Sequence, residues 1–522
     1  MLHPLYRRFQ TMSFKRTGIW ALLFVNSGNI FAQGQTSLLS EPEPARSISI
    51  VPRLSVTESL TNNAFLTANA RKSELITEIS PGIQISSNSG RIRGFLDYSL
   101  RNLIYAQNAD ARTFQNALNS FVTVEAVSNW AYLDLNGNIS QQAISAFGAQ
   151  SPSNLNSNPN RTESRTFRLS PYLRGKLSSF ADYEARYSLT TNRNESSLAS
   201  NVTSNEVLVK VRGQSTSASL GWSLDANRQS TTYAAGRKTD ADSAIGNLSY
   251  AINPQLNLSF SGGKEANNYT TVNTKSSFTS GLGFVWIPSD VTRLSASRQN
   301  RSFGSSHSIS VEHRTGRTAW RFNDSKDVST IPSQSGSVGL GSLYDLVFSQ
   351  FAAREPDPIL RASQVNDFLQ VNGLNPSATV VSSFLTSAVS LQRRQDLSFV
   401  ILGVRDTVTF SLNRSEGYRL DSIVGSSSDD LSNAVAVRQR GLSVNYAHRL
   451  TPDTSLNVIA STQKSADSQG AQSNSTKSLN VSVSTKLGTQ SKAVLGARRV
   501  VFESPTSPYT ESAVTGTLNV QF

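Results

Sequence analysis

The residue types in this chain that recur where they could act on a solute are arginine and lysine. Arg91, Arg93, Arg101, Arg168, Arg174, Lys176, Arg186 and Arg321 each sit in a segment where polar and apolar residues alternate. In an extended chain that spacing puts them on the polar face. A water-filled space walled by such side chains favours anions. Asp97, Asp182, Glu184 and Asp225 fall on the same faces, so an internal Arg–carboxylate network that only fills a plugged space is the competing reading.

No other constellation supports chemistry. The sequence has no G-x-S-x-G, H-E-x-x-H or P-loop pattern. The glycine-rich run Gly336–Gly341 lacks the lysine and strand context of a phosphate cradle, and it reads as a flexible lead-in to a helical segment. His307 and His313 share one strand face but stand roughly 20 Å apart at strand rise, too far for one metal. His448 lies beside Arg449 and a tight turn, where an interfacial role is expected. Asp429-Asp430 falls in a long polar loop and reads as solvated. The glycosylation-like triplets at Asn138, Asn201 and Asn257 are expected by chance in so Ser/Thr/Asn-rich a chain. Arg393-Arg394 and Arg498-Arg499 each put one charge on each face of a strand. The outward member belongs near a membrane interface, because an arginine at mid-bilayer costs about 2–4 kcal/mol. With no cysteine, disulfides, thiolate zinc sites and a Cys nucleophile are excluded. No catalytic residue, metal ligand or cofactor is expected.

The elements that must carry the basic residues are strands. From about residue 48 the chain repeats strand, tight turn, strand, longer polar loop. Ile92, Leu96, Tyr98 and Leu100 alternate with Arg93, Asp97, Ser99 and Arg101, with Phe95 the exception. Phe167, Leu169, Leu173 and Leu177 alternate with Arg168, Ser170, Arg174 and Lys176. The final strand sets Val514, Leu518, Val520 and Phe522 against Thr515, Thr517, Asn519 and Gln521. Turn-forming residues such as Asn88-Ser89-Gly90, Asn253-Pro254 and Thr451-Pro452-Asp453 join strands pairwise. The intervening loops are longer: Gln141–Glu163, Gln229–Asp242, Glu265–Lys275, Glu416–Asn433 and Ser465–Thr476.

Short turns at one end and long loops at the other are the pattern of an outer-membrane barrel. In hydrocarbon every backbone N–H and C=O needs a partner, and only a closed sheet gives strands that. The expectation is an all-β fold, a transmembrane antiparallel up-and-down β-barrel of about 22 strands with one helical insertion. Near Leu385–Ser415 the strand parity favours one strand to Gly403, a turn at Val404-Arg405-Asp406 and a second strand to about Asn413. A polar lumen reconciles a membrane protein with 37% hydrophobic and 16% charged residues.

The N-terminus reads as a secretory leader. Arg7, Arg8, Lys15 and Arg16 precede the apolar run Ile19–Val25 and a small-residue exit near Ala32. Residues 1–32 are therefore expected as a signal peptide, 33–47 as a periplasmic segment and 48–522 as the barrel. The formal net charge of +13 is scattered without a compact patch, which argues against nucleic acid. Residues 341–371 break the strand pattern. Leu343, Leu346, Val347 and Phe351 follow helical spacing, and Asp357-Pro358 starts a second helix carrying Val365, Phe368 and Leu369. This insert falls in an external loop, where it either folds into the lumen or stands at the surface.

The opening Ser49–Glu58, the insert from Tyr344 through Pro356-Asp357-Pro358 and Arg361 to Phe368-Leu369, and Gly403–Thr409 resemble the PEP-CTERM system-associated outer-membrane β-barrel proteins. The resemblance covers nearly the whole mature chain and brings no catalytic residues. It implies a place in exopolysaccharide or envelope export, with polysaccharide export components as partners. Outer-membrane lipids and lipopolysaccharide are expected to surround the wall. Terminal Phe522 resembles the signal read by the barrel assembly machinery. Two functions compete: a channel or scaffold for exopolysaccharide export, and a general diffusion porin with an anion-leaning lumen. TonB-dependent transporters, also 22-stranded, carry a plug before the first strand, and the strand pattern here begins too early to leave room for one.

Overall fold

The computed structural model describes residues 48–196, 200–214, 219–234, 238–330, Tyr344, Val347, Phe348, Phe351, Arg361, Ala362, 364–366, Leu369, 384–386, 389–420, 429–434, 436–470 and 472–522. The leader 1–32, the segment 33–47 and Gly336–Gly341 lie outside the described residues. Strands β1 (Ile48–Thr61), β2 (Glu74–Asn88), β3 (Ile92–Tyr105), β4 (Thr113–Val127), β5 (Ala131–Ala143), β6 (Arg161–Leu177), β7 (Ala181–Asn194) and β8 (Val202–Gln214) begin the wall. It continues through β9 (Leu220–Tyr233), β10 (Lys238–Asn253), β11 (Leu256–Asn267), β12 (Lys275–Ser289), β13 (Thr292–Arg301), β14 (Gly304–Arg314) and β15 (Thr318–Ser329). It ends with β16 (Ser390–Leu402), β17 (Asp406–Arg419), β18 (Ala436–Arg449), β19 (Thr454–Asp467), β20 (Ser473–Lys486), β21 (Ser491–Glu503) and β22 (Tyr509–Gln521).

Each strand pairs antiparallel with the next, and β22 returns to β1 over Arg53↔Gln521 to Thr61↔Ala513, closing a 22-stranded barrel. Closure leaves no sheet edge through the wall, which is what a lipid environment demands. The strand on each side of Val404-Arg405 has the parity expected from the sequence.

Register decides which side chains face in. Partners across a ladder share a face, so one assignment propagates around the wall. In β1, Ser59 and Thr61 are buried while Leu60 is exposed. Carried through every pair, the assignment returns with Ser59 opposite Thr515 and Leu60 opposite Val514, so the parity closes on itself. Outward positions are apolar: Phe167, Trp222, Phe260, Leu282, Trp320, Phe410 and Leu495 are all exposed. Inward positions are mostly polar, with apolar exceptions such as Ile76 and Leu103, and Phe95 is indeed turned inward and buried. This inversion of the soluble pattern is that of a lipid-facing wall, and it places the chain in the bacterial outer membrane.

Tight turns cluster at one end, as at 128–130 and 403–405, which is the periplasmic end by the short-turn rule. Asn129 and Ser178 take left-handed backbone there, at φ 58° and 56°. Asn tolerates that region readily; nothing further in the structure explains Ser178.

The long loops are shorter than the sequence implied. The connection expected over Gln229–Asp242 reduces to residues 234–237, because β9 runs to Tyr233 and β10 starts at Lys238. Strands rise past the apolar band with polar residues on both faces. The ladder continues there, while the period-two hydrophobic signal does not.

Candidate functional site: the barrel lumen

Register places the side chains of Arg93, Arg101, Arg168, Arg174, Lys176, Arg186 and Arg321 inward, with Arg91 at the adjoining periplasmic turn. Several have acidic neighbours. Arg101 lies 3.8 Å from Glu78, Arg168 3.2 Å from Glu206, and Arg321 3.5 Å from Glu312. Arg186 contacts both Asp134 (2.6 Å) and Glu184 (3.0 Å). Arg174 and Arg186 also enclose a ring stack. Tyr132 and Tyr172 lie 5.1 Å apart and nearly parallel, with Arg174 4.1 Å from the first ring and Arg186 3.8 Å from the second. Cation–π contact of this kind orders the guanidinium groups. The basic positions on β3, β6 and β7 thus form a structured, partly neutralised sector with acids from β2 to β8, while Arg321 stands apart on β15 beside Glu312 of β14.

A second sector is uncharged. Across β10–β14 one inward row reads Asn247, Ser261, Gly281, Gln299, Ser306, and the next reads Ser249, Ser259, Gly283, Ser297, Ser308. Gly281 and Gly283 keep these rows flat. A Cβ on Gly281 would stand 2.4 Å from Ser261 Oγ, and one on Gly283 2.7 Å from Ser259 Oγ. The result is a shelf of hydroxyls and amides that both donate and accept hydrogen bonds.

The external mouth is lined by loops turned inward. The segment between β5 and β6 reaches across several strands. Tyr105 Oη donates to Leu155 O (2.8 Å), Gln115 Nε2 to Asn154 O (3.1 Å) and Asn474 Nδ2 to Ala146 O (2.7 Å). Asn156 Nδ2 donates to Glu511 (3.2 Å), a buried carboxylate also bonded by Thr61 Oγ1 (3.0 Å) and paired with Arg498 (2.6 Å). Tyr105, Gln115, Asn474, Arg498 and Glu511 all face inward by register.

Asp429 and Asp430 depart from the solvated loop expected for them. Asp429 is buried and accepts from Thr386 Oγ1 (2.9 Å). Asp430 accepts from Ser145 Oγ (2.7 Å) and Ala146 N (2.6 Å). Burial outweighs these bonds and pushes the Asp430 carboxyl up to about 6, with Asp429 adding repulsion.

The described residues of 341–371 are helical, among them Tyr344, Val347, Phe351, Val365 and Leu369. Tyr344, Val347, Val365 and Leu369 form a buried cluster against which Phe348, Phe351 and Ile459 pack. Ile459 belongs to β19, where it shares the inward face with Asn457 and Ser461 and pairs with Asn445 and Asn480. The helical residues therefore meet the wall from the lumen side.

Of the remaining marked residues, His307 and Arg393 meet on Asp324 at the outward face, and the others stand apart. His307 and His313 share the outward face, on Asp324 (3.2 Å) and Thr292 Oγ1 (2.8 Å) respectively, and His448 meets Asp406 (2.6 Å) at the periplasmic rim. No cluster of three metal-ligating side chains exists among the described residues. Arg394 and Arg498 face in, while Arg393 and Arg499 face out. Phe522 continues the outward row of Val520 and Leu518, and its N–H donates to Pro52 O (2.9 Å). The shelf and the Ile459 contact were not singled out in the sequence. The one available signal for the contact was an isoleucine inside a polar inward row.

No family model and no curated protein matches the sequence. Solved structures do resemble the fold. The FrpB iron transporter from Neisseria meningitidis is similar at a TM-score of 0.51 and 10% identity, over 91% of this chain and 81% of that one. The siderophore receptor PirA from Pseudomonas aeruginosa aligns over 91% and 80%, at 8% identity and a TM-score of 0.44. The chain is thus an outer-membrane β-barrel of the 22-stranded architecture.

Proposed function

We propose that this barrel is an outer-membrane channel for a polyhydroxylated polymer, serving exopolysaccharide or envelope export. The observation that carries the reading is the double row on β10–β14. Sugars present hydroxyls at close intervals, and an uncharged, flat shelf of Ser, Asn and Gln exchanges hydrogen bonds with them without holding them tightly. The likeness to iron and siderophore transporters is one of fold and brings no cargo with it. The resemblance of Ser49–Glu58 and of the central insert to barrels associated with PEP-CTERM systems supports the same assignment.

The test is genetic. Deleting the gene should reduce exported polysaccharide. Wild-type protein should restore export, and the double variant S261D/S308D, which charges the shelf, should not. Unchanged export in the deletion strain sinks the proposal.

A second reading rests on a separate feature. Lys486 and Lys492 face each other across β20–β21 on the inward side near the periplasmic end, and such a pair favours anions. A general diffusion porin of this kind would show an anion-directed reversal potential in a salt gradient, with no dependence of export on the gene.

A further inference from the structure

The outward face carries a charge pattern that neither reading uses. On β17, β18 and β19, the outward positions just beyond Leu412, Leu442 and Thr462 are Arg414, Arg440 and Lys464. Register sets Arg414 opposite Arg440, and Arg440 opposite Lys464. Cross-strand neighbours lie about 5 Å apart at Cβ, and like charges so placed repel. The outward carboxylates nearby already hold cations. Glu416 is bonded by Arg414 (2.5 Å) and Tyr418 (3.0 Å) and lies 3.8 Å from Arg438. At the two ends of the row, Glu503, beyond Lys464 and Ser475, is paired with Lys477 (2.9 Å), and Asp324, beyond Arg414 and Gln395, is paired with Arg393 (3.0 Å). Arg440 and Lys464 are exposed, and neither has an ion pair among the described residues.

The height of the row identifies its surroundings. Asp406 and His448 are bonded on the outward face at the periplasmic rim. From there to Arg414 and Arg440 is eight residues on each strand, roughly 26 Å along the strand, or about 20 Å along the membrane normal at the usual tilt. Between them lie Val408, Phe410 and Leu412 on β17, and Tyr446, Val444 and Leu442 on β18. An outer-membrane barrel's apolar band is about 25 Å tall, so the row stands at the outer-leaflet margin, with long side chains able to extend toward the headgroups.

We propose that Arg414, Arg440 and Lys464 bind the phosphate groups of a phosphorylated glycolipid in the outer leaflet, with its acyl chains against Leu412, Leu442 and Val444. Two demands meet in such a ligand: anionic charge to relieve the repulsion, and hydrocarbon to cover the apolar wall directly below. A free phosphate satisfies the first and not the second.

The test titrates the detergent-solubilised full chain with a bisphosphorylated glycolipid and with the same lipid after phosphate removal. The wild type should bind the phosphorylated form and lose about tenfold or more with the dephosphorylated one. R440A/K464A should lose a similar factor, while heat-modifiable gel mobility shows the barrel intact. The control R228A/K238A, whose cations sit beside Asp242 (3.6 Å) and Asp240 (3.4 Å), should bind as wild type. Inorganic phosphate at matching concentration should not compete. Wild-type affinity in R440A/K464A, equal binding of the dephosphorylated lipid, an equal loss in the control, or full competition by inorganic phosphate would each overturn the proposal.

Discussion

Replacing Val365 with aspartate should release the helical segment from the lumen wall while leaving the barrel closed. Val347, Val365 and Leu369 are 1%, 0% and 1% exposed in the cluster that meets Ile459. Full burial of an aliphatic side chain contributes about 1.5–3 kcal/mol, so the three together supply roughly 5–9 kcal/mol, opposed by the entropy of ordering the segment. Val365→Asp removes one of these contributions and sets a carboxylate in apolar surroundings at a further cost of several kcal/mol. The combined change, on the order of 5 kcal/mol, moves a docking equilibrium by three to four powers of ten. None of the wall's ladder bonds is involved. Planar-bilayer conductance should therefore rise in the variant. Because the chain has no cysteine, a single L369C thiol should change from shielded to reactive when V365D is added. Unchanged conductance together with unchanged shielding would refute the docking argument.

The Asp430 carboxyl titrates near 6, above its unfolded value, so its contribution to loop docking is complete below about pH 4 and is lost as pH rises through 6. Protection of the Ala146 amide, taken against its intrinsic exchange at each pH, should fall across that window in the wild type by up to roughly 3 kcal/mol, and stay flat in D430N. Glu511→Ala strands a buried Arg498 and should lower unfolding stability in urea by about 3–5 kcal/mol; a loss below about 1 kcal/mol would mean the pair is solvated. Phe522→Asp should sharply reduce the heat-modifiable, assembled species in membranes, since it charges a lipid-facing rim position; normal insertion would discount Phe522 as an assembly determinant.

Much of the wall was legible in the sequence because alternation has a physical cause on both sides. Lipid selects Phe167, Leu169 and Leu173, and water selects Arg168, Ser170 and Arg174. Where that contrast fails, the reading failed with it. The upper parts of β9 and β10 carry Arg228, Ser230, Asp240 and Asp242 outward, so polar residues on both faces resembled loop although the ladder continues. The shelf on β10–β14 was invisible for a related reason: Ser, Asn and Gly mark a lumen face and a turn equally well. Asp430 looked like a solvated loop carboxylate because its cover, Ser145 and Ala146, comes from a distant part of the chain. The charged row at Arg414 was readable in principle, since Arg414 and Glu416 continue the parity of Phe410 and Leu412.

The upward extension of the strands also bears on how freely this surface can change. Inside the membrane, each position answers to lipid or to the lumen, and a substitution that ignores its face is penalised. Above the lipid margin the outer face meets water. There the fold is held by backbone bonds that do not depend on side-chain identity, so any strand-compatible residue serves on the outside. The rim above the lipid margin is thus the part of the wall with the weakest demand on its outer side chains. It can present a shifting face while the cylinder beneath it stays shut.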